Sequence, residues 1–215
     1  RRPGVRTRQR RAGEPPRSDG GTYLDHAGRR HDRHDRKRLL NIKNKSKTIT
    51  AEVEVPDGKT ANGIIIAQGG RFGGWALYVK DGIPVYAYNF LGLQSFTVAA
   101  TEKLKPGRST LRFDFAYDGG GLGKGGTGAL FVNDKKVAEG RIERTQPMIF
   151  SADETADVGI DLATPVVESI GSEAKSKFTG RIPKVTIEVK EMKNAEKALE
   201  NKLRAETTHK KVMSD

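Results

Sequence analysis

The sequence has no cysteine and no long apolar run, and its four histidines all lie near the ends, at His26, His31, His34 and His209. Because the chain has no cysteine, it can form no disulfide, no thiolate metal site and no cysteine nucleophile. No window approaches the ~18 apolar residues that a membrane-spanning helix needs. No apolar stretch near the start marks a signal peptide, so the sequence leaves localisation open. The lack of a central histidine and of a G-x-S-x-G elbow argues against a serine hydrolase.

Positive charge is abundant but unevenly distributed. The net charge is +12, and residues 1–38 alone hold 13 Lys and Arg against 5 Asp and Glu. Residues 39–190 hold 20 against 17, so this part is nearly neutral. Electrostatic attraction to nucleic acid therefore concerns the N-terminal segment only. Because this segment is rich in Arg, Gly and Pro and poor in aliphatic residues, we predict that 1–38 is a disordered basic tail.

Residues 39–190 show the two-residue period of β-strands. In TITAEVEV (48–55) apolar and polar residues alternate, and the same pattern recurs in GWALYVK (74–80) and RFDFAYD (112–118). Turn signals such as Asp81-Gly82 separate the strands at intervals typical of an all-β sandwich or barrel. We predict one antiparallel β-sandwich domain over 39–190, a jelly roll of the concanavalin or laminin-G type. Apolar residues at helical spacing predict a charged C-terminal α-helix over 191–215.

The glycine-rich stretch DGGGLGKGGTG (118–128) contains a formal G-x-G-x-x-G and a Gly-Lys pair. A dinucleotide fingerprint needs a helix after the loop, but GALFVND (128–134) predicts a strand. A phosphate loop would need glycine where Asp118 stands and a hydroxyl where Gly125 stands. We therefore interpret the stretch as a long connection between antiparallel strands, which leaves open a contact with another domain or a ligand.

Two further groups of residues are candidates for binding. Four carboxylates between 150 and 161 offer oxygen ligands for calcium, although Asx turns explain them equally well: Asp153, Glu154, Asp157 and Asp161. An aromatic set over 72–90 forms either core or a surface on which a sugar or base stacks. Trp75 and Tyr78 differ in parity and so point to opposite faces of their strand.

Long strings of the chain resemble the C-terminal region of bacterial arylsulfatases. They are LNIKNKSKTITAEVEV, GIIIAQGGRFGGWALYVKDGIPVYAYNFLGL and FAYDGGGLGKGGTGALFVNDKKVAEGRIERTQPMIFSADETADVG, within about 40–190. In that family the region is an accessory β-rich module behind the catalytic domain. The resemblance implies a sulfatase catalytic domain as partner.

The same resemblance implies that catalysis lies elsewhere. Arylsulfatases use a formylglycine, made from Cys or Ser in C/S-x-P/A-x-R, and a divalent cation such as calcium. That motif is absent from this sequence. We therefore expect no catalytic residue or cofactor in this chain and no sulfate ester hydrolysis by it alone.

The leading hypothesis is an accessory sandwich whose rim residues meet the catalytic domain, and the alternative is a free-standing module of the concanavalin type that binds carbohydrate or another ligand. The candidate ligand or interface residues are Arg71, Trp75, Tyr88, Asn89 and Lys124. A third, weaker hypothesis is nucleic-acid binding by the basic tail.

Overall fold

The computed structural model describes residues 21–25, 41–150, 156–162 and 164–190, and five residues between 198 and 206. Eleven strands make up the fold in the described part of the chain: β1 (Gly21–Asp25), β2 (Lys47–Val55), β3 (Gly63–Gly70), β4 (Gly73–Lys80), β5 (Ile83–Phe90), β6 (Gln94–Ala99), β7 (Gly107–Tyr117), β8 (Lys124–Val132), β9 (Lys135–Arg144), β10 (Ala156–Val158) and β11 (Arg181–Val189). A short 3₁₀ helix spans Glu173–Lys175.

The strands form two antiparallel sheets packed face to face. The six-stranded sheet has the order β1-β11-β2-β7-β8-β9, and the five-stranded sheet has the order β10-β3-β4-β5-β6. The chain passes between the sheets repeatedly, because β2 and β7–β9 belong to one sheet and β3–β6 to the other. This architecture confirms the predicted all-β sandwich.

Alternation along the strands builds the core between the sheets. The inward residues Ile49, Leu77 and Phe113 are fully buried, whereas their neighbours on β2 and β7 are partly or fully exposed. An aromatic stack crosses the core: Tyr86 lies 3.6 Å from Phe113 between ring centroids, and Trp75 lies 6.2 Å from Tyr86. Burial of one such apolar side chain contributes ~1.5–3 kcal/mol, so each ring of the stack adds to the stability of the sandwich.

The outer face of the five-stranded sheet is covered by the chain itself. Residues 164–170 cross this face and bring Val166 against a second apolar cluster that includes Ile64, Tyr78 and Ala87. This cover explains why β3 and β4 are buried on both faces. The outer face of the six-stranded sheet is different, since β2 and β7 present polar residues there.

Two parts of the structure differ from the sequence predictions. Within the segment predicted to be a disordered tail, residues 21–25 form β1, which pairs with β11; they include the short run Thr22-Tyr23-Leu24, which suits a strand. The remainder of 1–38 lies outside the described residues. The predicted glycine connection is shorter than expected, because β8 already begins at Lys124.

The predicted C-terminal helix falls largely outside the described residues. The described positions there, Ala198, Asn201, Lys202, Ala205 and Glu206, have helical backbone and are exposed.

Candidate functional site

Four loop segments meet at one end of the sandwich: 70–73, 90–94, 145–150, and 161–168 without residue 163, which is not described. The Asn89 side chain joins the first two. Its Nδ2 donates to the Arg71 carbonyl at 2.9 Å, and its Oδ1 accepts the Gly92 N–H at 2.9 Å. The fourth segment joins them through Thr164, whose Oγ1 accepts the Arg71 N–H at 3.1 Å. The turns are therefore joined to one another by side chain to backbone hydrogen bonds.

Gln146 fixes the third segment against the other loops. Its backbone N–H donates to the Tyr88 hydroxyl at 2.7 Å, and its Nε2 donates to the Phe150 carbonyl at 2.8 Å. The residue packs on Gly73 so closely that a Cβ there would lie 2.1 Å from Gln146 Oε1. Gly73 also has a φ of +141°, so only glycine satisfies both the space and the backbone conformation at this contact.

The glycine connection, now Asp118–Gly123, lies at the same end. The Tyr117 hydroxyl donates to the Gly121 carbonyl at 2.7 Å and accepts the Lys124 N–H at 2.9 Å. Asn44 binds this loop and the third segment together, because its Oδ1 accepts the Gly123 N–H and its Nδ2 donates to the Pro147 carbonyl. The loop is thus anchored at its base, with no helix behind it that would present amides to a phosphate.

Exposed apolar side chains gather on these loops. Every large apolar side chain that the described residues expose belongs to one of the four segments: Phe72, Leu91, Leu93, Met148, Ile149 and Leu162. Phe72 is 65% exposed, Leu93 is 83% exposed and Ile149 is 65% exposed. We call these six residues the apical surface. A collection of exposed apolar side chains at one end makes these loops a candidate for an interaction site.

Charged groups border the apical surface. Arg71 pairs with Glu168 at 3.2 Å, and both side chains are mostly exposed, so the pair contributes little to stability. The Arg144 guanidinium lies 5.6 Å from the Phe90 ring centre. Hydrogen bonding from Arg141 lowers the pKa of Asp118 at the foot of the glycine loop.

The structure brings all five predicted ligand or interface residues to this end but gives them different surroundings. Trp75 and Tyr88 are buried: Trp75 Nε1 donates to Gln68 Oε1, and the Tyr88 hydroxyl accepts from Gln146. Neither ring is placed to stack on a ligand. Asn89 is occupied in the loop contacts, whereas the side chains of Arg71 and Lys124 are exposed.

Several residues of this end were missed at the level of sequence. Asn44, Gln146 and the pair Met148-Ile149 lie in stretches without strand or helix period, where sequence patterns carry little information. The only signal was an apolar pair next to a proline in TQPMIF (145–150).

Two buried lysines lie below the apical surface. Lys47 Nζ lies 5.0 Å from the Phe115 ring centre and 5.9 Å from that of Trp75. Lys43 Nζ lies 4.6 Å from the Phe150 ring centre. Burial, together with the positive charge of Lys43, lowers the pKa of Lys47 to about 7. Cation–π contacts offset part of the cost of this buried charge.

The predicted calcium ligands lie in two parts of the chain. Asp153 and Glu154 fall outside the described residues. Asp161 is buried and its Oδ2 accepts the Val166 N–H at 3.0 Å, and Asp157 Oδ2 accepts the Leu162 N–H at 3.2 Å. These two carboxylates therefore hold the Leu162 and Val166 backbone near the start of the segment that covers the five-stranded sheet. Among the described residues no three His, Cys, Asp or Glu side chains converge on a metal position.

A second surface lies toward the opposite end of the sandwich. It is a groove of about 280 Å³ on the outer face of the six-stranded sheet, and its polar lining includes Glu52, Glu54, Arg108, Thr110, Asn133 and Arg181. We call it the polar groove. In the sequence these residues occupy the polar positions of alternating strands, which predict only a solvent-exposed face, so the sequence did not indicate a binding site here.

No described helix is long and apolar enough to cross a membrane. No family model and no curated protein matches the chain.

Several solved structures have a similar chain path. One is the CBM40 of the Ruminococcus gnavus IT-sialidase bound to α2,3 sialyllactose. It is 12% identical, has a TM-score of 0.49, and the match covers 73% of this chain and 81% of that one.

Domain 4 of the GH43 arabinanase AbnA from Geobacillus stearothermophilus, in complex with arabinotriose, is 13% identical, with a TM-score of 0.47 and coverage of 73% and 66%. A SAP-like pentraxin from Limulus polyphemus is 14% identical, with a TM-score of 0.44 and coverage of 68% and 66%. Similarities at this level transfer no ligand or partner to this chain.

Proposed function

We propose that the chain is a non-catalytic β-sandwich module that binds another protein domain through its apical surface. The observation that carries this proposal is the collection of all exposed large apolar side chains of the described residues on four adjoining loops. Apolar and aromatic groups at the centre of a surface, with arginines around them, are typical of the core of a protein interface. The hydrogen bonds of Asn89 and Gln146 keep these loops in place, which lowers the entropy cost of binding.

For the partner we propose a sulfatase-type catalytic domain. The resemblance of residues 40–190 to the C-terminal region of arylsulfatases supports this choice. The sequence lacks the formylglycine motif, and the described residues offer no metal cluster, so no catalytic step is assigned to this chain.

Binding to a separately expressed arylsulfatase catalytic domain, from which the equivalent C-terminal region has been removed, tests the proposal. Titration calorimetry should detect a one-to-one complex. The double variant Phe72→Ser, Leu93→Ser should weaken it about tenfold or more, because exposed apolar anchors contribute most of the affinity of such interfaces.

The matched control is Glu54→Gln, which changes a surface residue at the far end and should leave this affinity unchanged. Equal binding by the apical double variant and the intact chain would refute the role of the apical surface. Cleavage of an aryl sulfate by the purified chain alone would overturn the non-catalytic assignment.

Carbohydrate binding is the second candidate function. The observation that favours it is the polar groove, which lies on an uncovered sheet face rich in hydrogen-bonding groups. The buried positions of Trp75 and Tyr88 leave the apical end without the aromatic platform on which sugars stack, so the groove is the better place for a glycan.

A further inference from the structure

The polar groove is built from a ladder of residues across three neighbouring strands. Glu54 on β2 lies in register with Arg108 on β7 and with Arg181 on β11. Glu52, two residues earlier on the same face, lies in register with Thr110. Because neighbouring strands are ~4.8 Å apart, each arginine lies one strand spacing from Glu54 along the backbone, and the two arginines lie about two spacings from each other. The groove therefore has a central acceptor with a donor on each side.

The formal charges of the groove balance. Two carboxylates, Glu52 and Glu54, face two guanidinium groups, Arg108 and Arg181. A charged ligand that is attracted by one pair of these groups would be repelled by the other pair, which lies beside it. A neutral ligand with many hydroxyl groups meets both donors and acceptors without that penalty, since a hydroxyl both donates and accepts.

Several polar atoms of the groove have unused hydrogen-bonding capacity. Glu54 Oε2 is buried and makes no hydrogen bond within the described chain; its nearest cation, Arg108 Nε, is 3.8 Å away. The Asn133 Oδ1 accepts the Thr110 N–H, so this contact does not use the two N–H donors of the Asn133 side chain. The Glu54 side chain as a whole is 37% exposed and that of Arg108 is 82% exposed, so a rotation of the carboxylate brings this enclosed oxygen to the groove, where a hydroxyl donor would offset the cost of its missing hydrogen bond.

A β-bulge supplies an apolar wall beside these polar groups. The register of β11 against β2 shifts between Arg181 and Lys184, and Pro183 stands within this irregularity and lines the groove. Proline is tolerated in a sheet at such positions because no ladder hydrogen bond is required of it. Its rigid ring offers the C–H surface that the apolar face of a sugar ring requires.

We propose that the polar groove binds a segment of a neutral oligosaccharide, with Glu54 accepting and Arg108 and Arg181 donating hydrogen bonds to its hydroxyl groups. This inference rests on the second candidate function and specifies its ligand class and its residues. It is independent of the apical surface, which lies at the other end of the sandwich.

The test is a glycan array that carries neutral and acidic oligosaccharides, probed with the intact chain and followed by calorimetry on the best neutral ligand. We expect neutral glycans to bind, with less than about a twofold change in affinity between ~0.05 and ~0.5 M salt, because no net charge is neutralised. Glu54→Gln and Arg181→Gln should each weaken binding about tenfold. Thr110→Val, which removes only a hydroxyl, should weaken it less.

The apical double variant Phe72→Ser, Leu93→Ser is the matched control and should retain full glycan affinity, and thermal melts should show that each variant is folded. Absence of binding to every neutral glycan would overturn the inference, as would selective binding of acidic glycans. Glycan binding that is lost in the apical variant and kept in Glu54→Gln would also refute it. Docking of a protein domain at the apical surface would stand in all three cases.

Discussion

At the scale of single residues, two polar groups, the Tyr86 hydroxyl and the Lys47 ammonium, lie within the aromatic core. The Tyr86 hydroxyl is buried and has no hydrogen-bond partner among the described residues. The Lys47 ammonium contacts the faces of Trp75 and Phe115. Neighbouring Tyr88, by contrast, accepts a hydrogen bond from the Gln146 N–H. The two tyrosines lie in the same strand and differ in whether the hydroxyl is hydrogen-bonded, so they allow a direct comparison.

Tyr86→Phe should raise the free energy of unfolding by about 0.5–1 kcal/mol, because it removes a desolvated hydroxyl and keeps the stack on Phe113. Tyr88→Phe should lower it by about 1–2 kcal/mol, because the buried Gln146 N–H loses its acceptor. Urea unfolding of both variants measures the difference. A larger loss for Tyr86→Phe than for Tyr88→Phe would show that these assignments are reversed.

Lys47 makes stability depend on pH in a defined direction. Its pKa is lowered from 10.5 to about 7 in the folded chain. Between these values the unfolded chain holds a proton that the folded chain has released, so the free energy of unfolding rises with pH across about 7 to 10.5. Below about pH 7 the amine is protonated in both states, and the folded state carries the full cost of a buried charge.

Lys47→Met should therefore stabilise the fold by about 1–3 kcal/mol near pH 6, with a gain that shrinks as the pH rises toward 10. Chemical unfolding of the variant and the intact chain at several pH values checks this. Lys80→Met, at an exposed position, is the control and should show little change. A gain from Lys47→Met that stays constant with pH would contradict a neutralised amine.

At the scale of elements, strand β8 and the turn before it explain why the stretch 118–128 contains so many glycines. Gly119, Gly120, Gly121 and Gly123 have positive φ and form the turn. Gly126 and Gly128 lie within β8, where a Cβ would come within 2.5 Å of the rings of Phe115 and Phe113 respectively. Four glycines of the stretch therefore serve the backbone conformation of the turn, two make room for the aromatic core, and Gly125 makes room for the backbone of β9.

Gly128→Ala should lower the free energy of unfolding by about 2–3 kcal/mol, because the added methyl group overpacks the Phe113 ring. Thr127→Ala on the exposed side of the same strand should change it by no more than about 0.5 kcal/mol. Thermal or urea unfolding gives both values. If the overpacking argument holds, Phe113→Leu should relieve part of the cost of Gly128→Ala in a double-mutant cycle.

At the scale of the whole molecule, the sandwich separates two surfaces of opposite character. The apical surface is apolar and is formed by loops, whereas the polar groove is formed by strands β2, β7 and β11 and lies toward the other end. The covering segment 164–170 packs on the outer face of the five-stranded sheet. A domain docked at the apical surface would leave the polar groove open, so both proposed ligands could be bound at once.

The sequence by itself determined the strands. Apolar and polar alternation is a local property, and turn residues such as Asp81-Gly82 act on the chain next to them, so β2, β4, β5, β7 and β11 followed from the pattern. The exclusion of a phosphate site also followed, because a strand after Gly128 leaves no helix to bind the anion. The resemblance to arylsulfatase modules and the concanavalin-type alternative indicated five candidate ligand or interface residues: Arg71, Trp75, Tyr88, Asn89 and Lys124.

Only the tertiary structure decided which of these residues meet and which of them face solvent. Trp75 and Phe72 belong to the same string, yet Trp75 is fully buried and Phe72 is exposed, because β4 turns one of them into the space between the sheets. Asn44 and Gln146 join loops that are far apart in the chain, and residues of three strands share the polar groove. Such contacts depend on strand register and sheet order, which are long-range properties that no local pattern contains.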